Sequence, residues 1–528
     1  MTSPRRPDLA ATAGVVVRAG LVMTAAAVVS RVLGWIRLLV IGAEFGATSE
    51  LDAYLAAFRI PDAIFQLIVA GALSAALIPV YAGYRARGEE AEGWALASSM
   101  INLVVLALAG LSALMAIAAP WLVPILAPGF DAETTALTVR LTQLMLLSPV
   151  FIGLGAVVSG LLQAHGTFGP TAVAPLVYNL AIIAAAVFVA PTLGVEALAA
   201  GVVAGAIGHL VIQLPALRRL EPSWRPRIDL RHRGVRRVSV LMGPRFLGLA
   251  AGQVNLIVST ALASSLAAGS ITAFTYAFQL SQLPVGIIGV SIAVALFPTL
   301  SRDAALGRAS EIRRQVNASI RVLFFVSAPL AVLMIVLREP LASVFFEYGL
   351  FGAEDAERTA SALAWFAIGV PAHVVVHVLA RAFYAMQDTW TPVVWAVVAV
   401  VANIALMFAL VDPYGVEGLA LALSVSATLE VIGLLVALRR RLGTIDGRFL
   451  LASMARSSLA TVVAGVAMFA SLAALDAAAP ALTDGAIGRL VTLLLPAAVG
   501  GIVYLLAAVL LRAPELPTVR RLLSGVRR

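Results

Sequence analysis

Cysteine and lysine are absent from this 528-residue sequence, and charged residues make up only 12% of it. Without cysteine the chain has no disulfide, no thiol nucleophile, no thiolate metal site and no iron–sulfur ligation. The low charge, beside 61% hydrophobic residues, excludes an ordinary soluble globular composition. The net charge of +9 does not indicate nucleic acid, because the arginines lie mainly in short segments between apolar runs. That distribution is typical of membrane topology.

Motifs for nucleotide and metal chemistry are also missing. There is no Gly-Lys-Ser/Thr phosphate loop and no separate soluble domain to carry one, so ATP is not predicted as the direct energy source. No nucleophile, base and orienting group are assembled in the sequence, and we expect a transporter rather than an enzyme. His373 and His377 have the spacing of two ligands on one helix face, but no carboxylate or third histidine is nearby. We therefore expect no metal or cofactor, and expect His377 to line a polar cavity.

Apolar runs long enough to cross a bilayer follow one another through almost the whole chain. A spanning helix needs about 20 apolar residues, since each residue advances the helix by about 1.5 Å across a hydrocarbon core of about 30 Å. Runs broken by charge, glycine and proline predict an all-α integral membrane protein of about fourteen transmembrane helices, at 14–41, 51–84, 94–119, 137–163, 170–190, 195–217, 238–266, 271–300, 316–337, 360–386, 392–410, 415–438, 450–475 and 487–511.

The loops between these runs alternate in charge. One set is rich in arginine and is expected to face the cytoplasm, at 85–87, 218–237, 302–314, 439–441 and 520–528. The other set carries most of the acidic loop residues, at 44–52, 131–133, 347–355 and 476–484. The first run is too long for a signal-peptide core and is interpreted as a retained span. We therefore predict a multi-pass membrane protein with both termini in the cytoplasm.

An internal repeat relates the two halves of the chain. Gly194-Val195-Glu196 recurs at Gly415-Val416-Glu417, and the Ala-Leu-Arg-Arg run that begins at Ala216 recurs at Ala437, with the same offset of 221 residues. Each copy holds six spans, an even number, so the two lobes should have the same topology, as in transporters with a site between parallel repeats. We predict a six-helix lobe at 14–217, a basic cytoplasmic loop at 218–237, a second lobe at 238–438 and two terminal helices at 450–511.

Three arginines lie inside the first two predicted spans, where an ionisable group costs at least ~2.5 kcal/mol. They are Arg31, Arg37 and Arg59, and together they predict an anion site. Arginine suits phosphate because its planar fork makes paired charge-assisted hydrogen bonds and stays ionised when buried. In the alternative interpretation, Arg37 and Arg59 extend to the outer headgroups and Arg31 pairs with a carbonyl or with Asp52. The polar residues of the spans, among them Asn179, His209 and Gln213, are expected to form hydrogen bonds between helices.

A set of motifs resembles the MurJ/MviN lipid II flippases. They run in family order from the first predicted span into the eleventh: Ser30-Arg31-Val32-Leu33-Gly34 with Arg37, Asp52-Ala53, Ala57-Phe58-Arg59-Ile60-Pro61, Gly71-Ala72-Leu73-Ser74, Pro79, Ala127-Pro128-Gly129-Phe130, Gln213-Leu214-Pro215, Met242-Gly243-Pro244, Leu283-Pro284, Phe383-Tyr384-Ala385, Asp388 and Thr391-Pro392-Val393.

The resemblance implies a fold of the multidrug, oligosaccharidyl-lipid and polysaccharide exporter type, with two six-helix lobes and two terminal helices that offer a groove for a lipid tail. It implies that the substrate is the undecaprenyl-diphosphate-linked peptidoglycan precursor, lipid II, carried from the inner to the outer leaflet for cell-wall synthesis. The implied partners are this lipid, membrane lipids and cell-wall synthesis proteins. The expected central-cavity residues are Arg31, Arg37, Arg59, Asp52, Ser30, Gln279 and His377.

The sequence departs from the family pattern at three positions. Arginines expected from the resemblance are replaced by Phe65 and Gln279, and an acidic residue by Leu38. Fewer cations should weaken the attraction for a diphosphate. Alternative functions are therefore a flippase for another polyprenyl-diphosphate-linked oligosaccharide, of capsule or O-antigen type, an exporter of soluble cations, and a scaffold for wall-synthesis proteins.

Overall fold

The computed structural model describes residues 9–67, 74–443, 447–478 and 485–517, with side chains from residue 22 onwards except at 74–76, 239, 241–249 and 251. Every regular element in these ranges is helical. The α-helices are α1 Leu9–Phe45, α2 Ser49–Phe65, α3 Ser74–Ala86, α4 Glu90–Leu126, α5 Ala132–Met145, α6 Ser148–Ala164, α7 Gly169–Ala184, α8 Ala190–Leu193, α9 Glu196–Val211, α10 Leu214–Arg218, α11 Arg233–Ser264, α12 Ser270–Pro284, α13 Ser291–Ala305, α14 Ala309–Val336, α15 Arg338–Phe346, α16 Ala353–Ala385, α17 Trp390–Leu442, α18 Gly447–Ala478 and α19 Gly485–Leu510. Two π-helical turns, Ala185–Val189 and Val285–Val290, join α7 to α8 and α12 to α13.

Eleven helices of the described ranges are long and apolar enough to cross a membrane, so the prediction of an all-helical membrane protein is confirmed while the count of fourteen is not. Two predicted spans, 392–410 and 415–438, both lie within α17, which consists of two helical segments joined across a kink at Gly415 (φ 56°, ψ −133°). The predicted span 51–84 crosses residues 68–73, which lie outside the described ranges. The predicted span 238–266 falls in α11, where arginines and the polar Gln253 and Asn255 interrupt the apolar pattern.

The chain divides into two compact units, Met1–Ile257 and Val258–Arg528. The boundary lies inside α11, later in the chain than the basic loop at which the lobes were predicted to separate. The assignment of lobes therefore stays a prediction.

In the first unit, α7 packs against α1 and α9, while α6 packs against α3, α4 and α9. The buried core between α3, α4 and α6 contains Leu77, Tyr81, Leu96, Leu108 and Leu161. These apolar side chains face other helices rather than lipid, because each lies at a position where helices approach closely.

The basic loop that follows α10 lies along α4 of the same unit. The side-chain amide of Asn102 donates to the carbonyl oxygens of Arg225 (2.8 Å) and Arg227 (3.0 Å), and the indole N–H of Trp224 donates to the Asn102 oxygen at 3.2 Å. Ser98 accepts a hydrogen bond from the backbone N–H of Arg225 at 3.1 Å. These bonds hold a non-helical, arginine-rich segment in a defined position.

In the second unit, α16 is central and packs against α12, α14, α15 and α17, and the α18–α19 pair packs against α14. Phe325 of α14 meets Tyr504 of α19, whose hydroxyl donates to the Phe325 carbonyl oxygen at 2.6 Å. After α19, the buried carboxylate of Glu515 pairs with Arg321 at 3.4 Å and accepts a hydrogen bond from Ser453 at 2.5 Å. The two terminal helices are thus attached to α14 by polar as well as apolar contacts.

Candidate functional site

A half-open cavity of about 300 Å³, with a mainly apolar surface and a few polar and charged groups, lies in the first unit. Side chains from α1, α2, α6, α7 and α9 surround it, and they combine charge, aromatic rings and amide or imidazole groups. The lining comprises Arg37, Phe58, Pro61, Asp62, Phe65, Ser148, Pro149, Ile152, Pro175, Tyr178, Asn179 and His209. A cavity of this composition in a membrane-spanning unit is suited to a polar group that the surrounding hydrocarbon would exclude.

Close approach of α7 and α9 forms one wall of the cavity. Gly201, Gly205 and Gly208 follow one another on α9 at helical spacing, and a Cβ atom on any of them would meet α7 or the π-helical turn after it at 2.6–2.8 Å. Small residues at such positions let the backbones of neighbouring membrane helices touch. The contact brings Tyr178 of α7 and His209 of α9 to the same space.

A second tie connects α7 to α1. The side-chain amide of Asn179 donates to the carbonyl oxygen of Pro175 at 3.1 Å and to that of Ser30 at 3.5 Å. The predicted role of Asn179 as a bridge between helices is confirmed. Ser30 itself is half-buried and takes part through its backbone oxygen.

Of the three arginines that were predicted to bind an anion, Arg37 is the one that lines the cavity. Arg59 is half-buried on α2 and interacts electrostatically with Asp62, one helical turn further on. Arg31 has an exposed side chain and does not line this cavity. Six residues separate Arg31 from Arg37, and this spacing places the two side chains on different faces of α1. The structure therefore brings Arg37 and Arg59 toward one carboxylate, and Arg31 points elsewhere.

The acidic residue predicted from the family pattern, Asp52, is 2% exposed near the start of α2. It is not among the cavity-lining residues. Its backbone N–H bonds to the carbonyl oxygen of Thr48, the residue that caps α2. The substitution at Phe65, in contrast, does fall in the cavity, which is also lined by Arg37.

The other two predicted site residues belong to the second unit. Gln279 is exposed on α12, and His377 is half-buried on α16. The imidazole of His377 lies beside Gly289, where an added Cβ would meet it at 3.3 Å, and it interacts electrostatically with Arg381. Within the described residues, no group of three or more histidine, aspartate or glutamate side chains could hold a metal ion.

The predicted role of Gln213 in hydrogen bonding between helices is confirmed. The imidazole of His209, in contrast, lines the cavity. The hydroxyl of Ser159 on α6 donates to the Gln213 side-chain oxygen at 2.7 Å, and the Gln213 amide donates to the His209 carbonyl oxygen at 2.9 Å. The imidazole of His209 lies against Gly155 and lines the cavity, and its Nδ1 has no hydrogen-bond partner in the described structure.

Sequence reasoning missed two residues of the cavity, Asp62 and Tyr178. Asp62 was detectable, because it is an aspartate inside a predicted span and follows Arg59 by one helical turn. Tyr178 had no comparable signal. Its position depends on the glycines of α9, which are distant from it in sequence.

Comparison with solved structures identifies the architecture. A structure described as "Lipid II flippase MurJ, inward closed conformation" matches with a TM-score of 0.76 and 23% identity, covering 93% of this chain and 99% of that one. A multidrug resistance MATE family transporter of the MOP superfamily, in an inward-facing conformation, matches with a TM-score of 0.68 and 14% identity, covering 78% and 95%. The chain thus shares the multi-pass α-helical fold of these two structures.

Sequence comparison gives the particular family. The family model "Lipid II flippase MurJ" matches residues 41–478. The Lipid II flippase MurJ of Burkholderia cenocepacia is 34% identical over 432 residues, covering 80% of this chain and 84% of that protein. The probable lipid II flippase MurJ of Rhizobium tropici is 32% identical over 430 residues, covering 78% and 79%. The chain therefore belongs to the lipid II flippase MurJ family, and the predictions of the family and of a transporter rather than an enzyme are confirmed.

Proposed function

We propose that this protein translocates lipid II from the cytoplasmic to the outer leaflet of the bacterial plasma membrane by alternating access. The observation that carries the proposal is its membership of a family of lipid II flippases over most of its length. The diphosphate, sugar and peptide groups of this lipid cannot cross hydrocarbon unaided, because each desolvated polar or charged group costs several kcal/mol. A flippase must supply replacement contacts for them.

Arg37 and Arg59 supply such contacts for the diphosphate in this proposal. The guanidinium groups carry charge without titrating, and each offers paired donors to phosphate oxygens. Arg31, Ser30, Asp52, Gln279 and His377 remain proposed members of the substrate path. The first and second lobes at 14–217 and 238–438 are proposed as the elements that alternate, and helices 450–511 as the groove for the lipid tail.

Both termini are proposed to lie in the cytoplasm, as the arginine-rich loops favour. Association with cell-wall synthesis proteins stays a prediction from the family resemblance.

Rescue of a bacterium depleted of its own lipid II flippase tests this function. The wild-type chain should restore growth, and Arg37→Ala should abolish rescue at normal protein level. Arg140→Ala is the matched control, because Arg140 is an exposed arginine of α5, paired only loosely with Glu196 at 3.7 Å. Full rescue by Arg37→Ala would refute the assignment of this arginine.

A second candidate function is a flippase for another polyprenyl-diphosphate-linked oligosaccharide. Phe65 in the cavity favours it, because this position lacks the cation that the resemblance to lipid II flippases implies. Failure of the wild-type chain to rescue, with loss of a surface polysaccharide when its gene is deleted, would select this function.

A further inference from the structure

Asp62 is a carboxylate placed inside the cavity that the proposed function assigns to a diphosphate. It is half-buried and lines the same space as Arg37. It interacts electrostatically with Arg59 and Arg37, and its Oδ1 accepts a long hydrogen bond, 3.4 Å, from the Gln66 amide. A negative charge at this point lies where a substrate anion is expected to bind.

The arginines account for the presence of this carboxylate. An ionised aspartate in a spanning helix is costly unless a cation or hydrogen-bond donor compensates it. With Arg37 and Arg59 nearby, the empty cavity holds one negative and two positive groups. Asp62 therefore acts as an internal counter-ion, which partly neutralises the positive charge of the arginines before a substrate binds.

A bound diphosphate changes this balance. Its phosphates compete for the same guanidinium groups and set a second anion beside the Asp62 carboxylate. Two like charges in a poorly hydrated site favour protonation of one of them, and a protonated aspartate can donate a hydrogen bond to a phosphate oxygen. A carboxylate is more basic than the oxygens of a diphosphate diester, so the aspartate is the group that takes the proton.

We propose that Asp62 is a proton-coupling group: binding of the diphosphate head takes up one proton from water at the Asp62 carboxylate, and release of the head returns it. No other bond forms or breaks in this step. The inference rests on the proposed function and deepens it, because it makes substrate binding dependent on pH.

Other titratable groups face Asp62 and define the controls. Arg37 comes from α1 and Arg59 from α2, while Tyr178 of α7 also interacts electrostatically with Asp62; Tyr54 of α2 interacts with Arg37 and Tyr178. Guanidinium and phenol groups do not exchange protons near neutral pH. His209 of α9 lines the same cavity and is the rival acceptor, since an imidazole does titrate in that range.

Calorimetric titration of the full chain in nanodiscs with lipid II tests the proposal. The proton count is obtained from the binding enthalpy in buffers of different ionisation enthalpy. Wild-type protein should take up one proton per bound lipid, and its dissociation constant should rise about tenfold per pH unit once Asp62 is ionised in the empty protein. Asp62→Asn should bind with no uptake and with an affinity that does not vary with pH. Asp62→Glu, which keeps the carboxyl group, should retain uptake.

The matched controls are Glu50→Gln, an exposed carboxylate at the start of the same helix, and His209→Gln. Both should keep the wild-type proton count. Unchanged uptake in Asp62→Asn, or loss of uptake in His209→Gln, would overturn the inference while leaving the proposed function intact. Absence of lipid II binding by the wild-type protein would overturn the proposed function itself. Size-exclusion elution of each variant checks that it folds.

Discussion

Replacement of Gly205 by alanine should separate α7 from α9 and so distort the cavity. A Cβ atom on Gly205 would lie 2.8 Å from the carbonyl oxygen of Tyr178 and 3.3 Å from its Cα. These neighbours belong to the backbone, which cannot rotate away as the end of a side chain can. The change is remote from any proposed ligand contact, but it acts on the wall that carries Tyr178 and Asn179.

The size of the effect follows from this geometry. Ordinary van der Waals contact of a Cβ atom begins near 3.4 Å, so the helices must separate by about 0.6 Å in an interior that is close-packed. Overpacking of this kind destabilises a protein by about 1–3 kcal/mol. Gly110 of α4 is the matched control, because nothing lies within 4 Å of the Cβ that alanine would add. Gly110→Ala should be neutral or should stabilise its helix by about 0.5–1 kcal/mol.

Unfolding in mixed micelles with increasing denaturing detergent, followed by tryptophan fluorescence, measures both variants. Gly205→Ala should unfold at lower detergent than the wild type and should also bind lipid II more weakly, whereas Gly110→Ala should show neither change. Equal stability of the two alanine variants would refute the close approach of α7 and α9 on which the cavity depends.

Two further predictions concern segments outside the spans. Asn102→Ala removes the donors that hold the basic loop, so trypsin should cleave after the exposed Arg227 faster in inside-out vesicles of the variant than of the wild type. Equal cleavage rates would contradict the attachment of the loop, and protection of the site in these vesicles would contradict the proposed orientation. Burial opposes ionisation of Asp388, but hydrogen bonds from Thr391 and the charge of Arg441 outweigh it and hold the pKa of Asp388 below its usual range. A lowered pKa in the folded state adds stability that is present above the unfolded pKa and is lost as pH falls through the folded pKa. Asp388→Asn should therefore lessen the loss of stability below about pH 4. The same dependence of stability on pH in both proteins would refute this.

The sequence alone determined the class of protein and its family. Long apolar runs are local features, and a bilayer requires them wherever the chain crosses it. The motifs around Arg31, Arg37 and Arg59 are likewise contiguous, so the resemblance could be read directly. The helix count was less secure, because the boundary between two of the predicted spans depends on one kinked residue, Gly415.

Only the tertiary structure decided which of these residues share a cavity. Arg31 and Arg37 are equivalent in the sequence pattern, yet Arg37 lines the cavity and Arg31 does not. The difference depends on which face of α1 meets α7, where the Asn179 amide donates to the Ser30 carbonyl oxygen. Asp62 lines the cavity from α2, which packs against α6. Asp62 interacts electrostatically with arginines of two helices, Arg37 of α1 and Arg59 of α2. The balance of charge in the cavity therefore depends on how helices pack, and hydropathy and motif spacing carry no information about that packing.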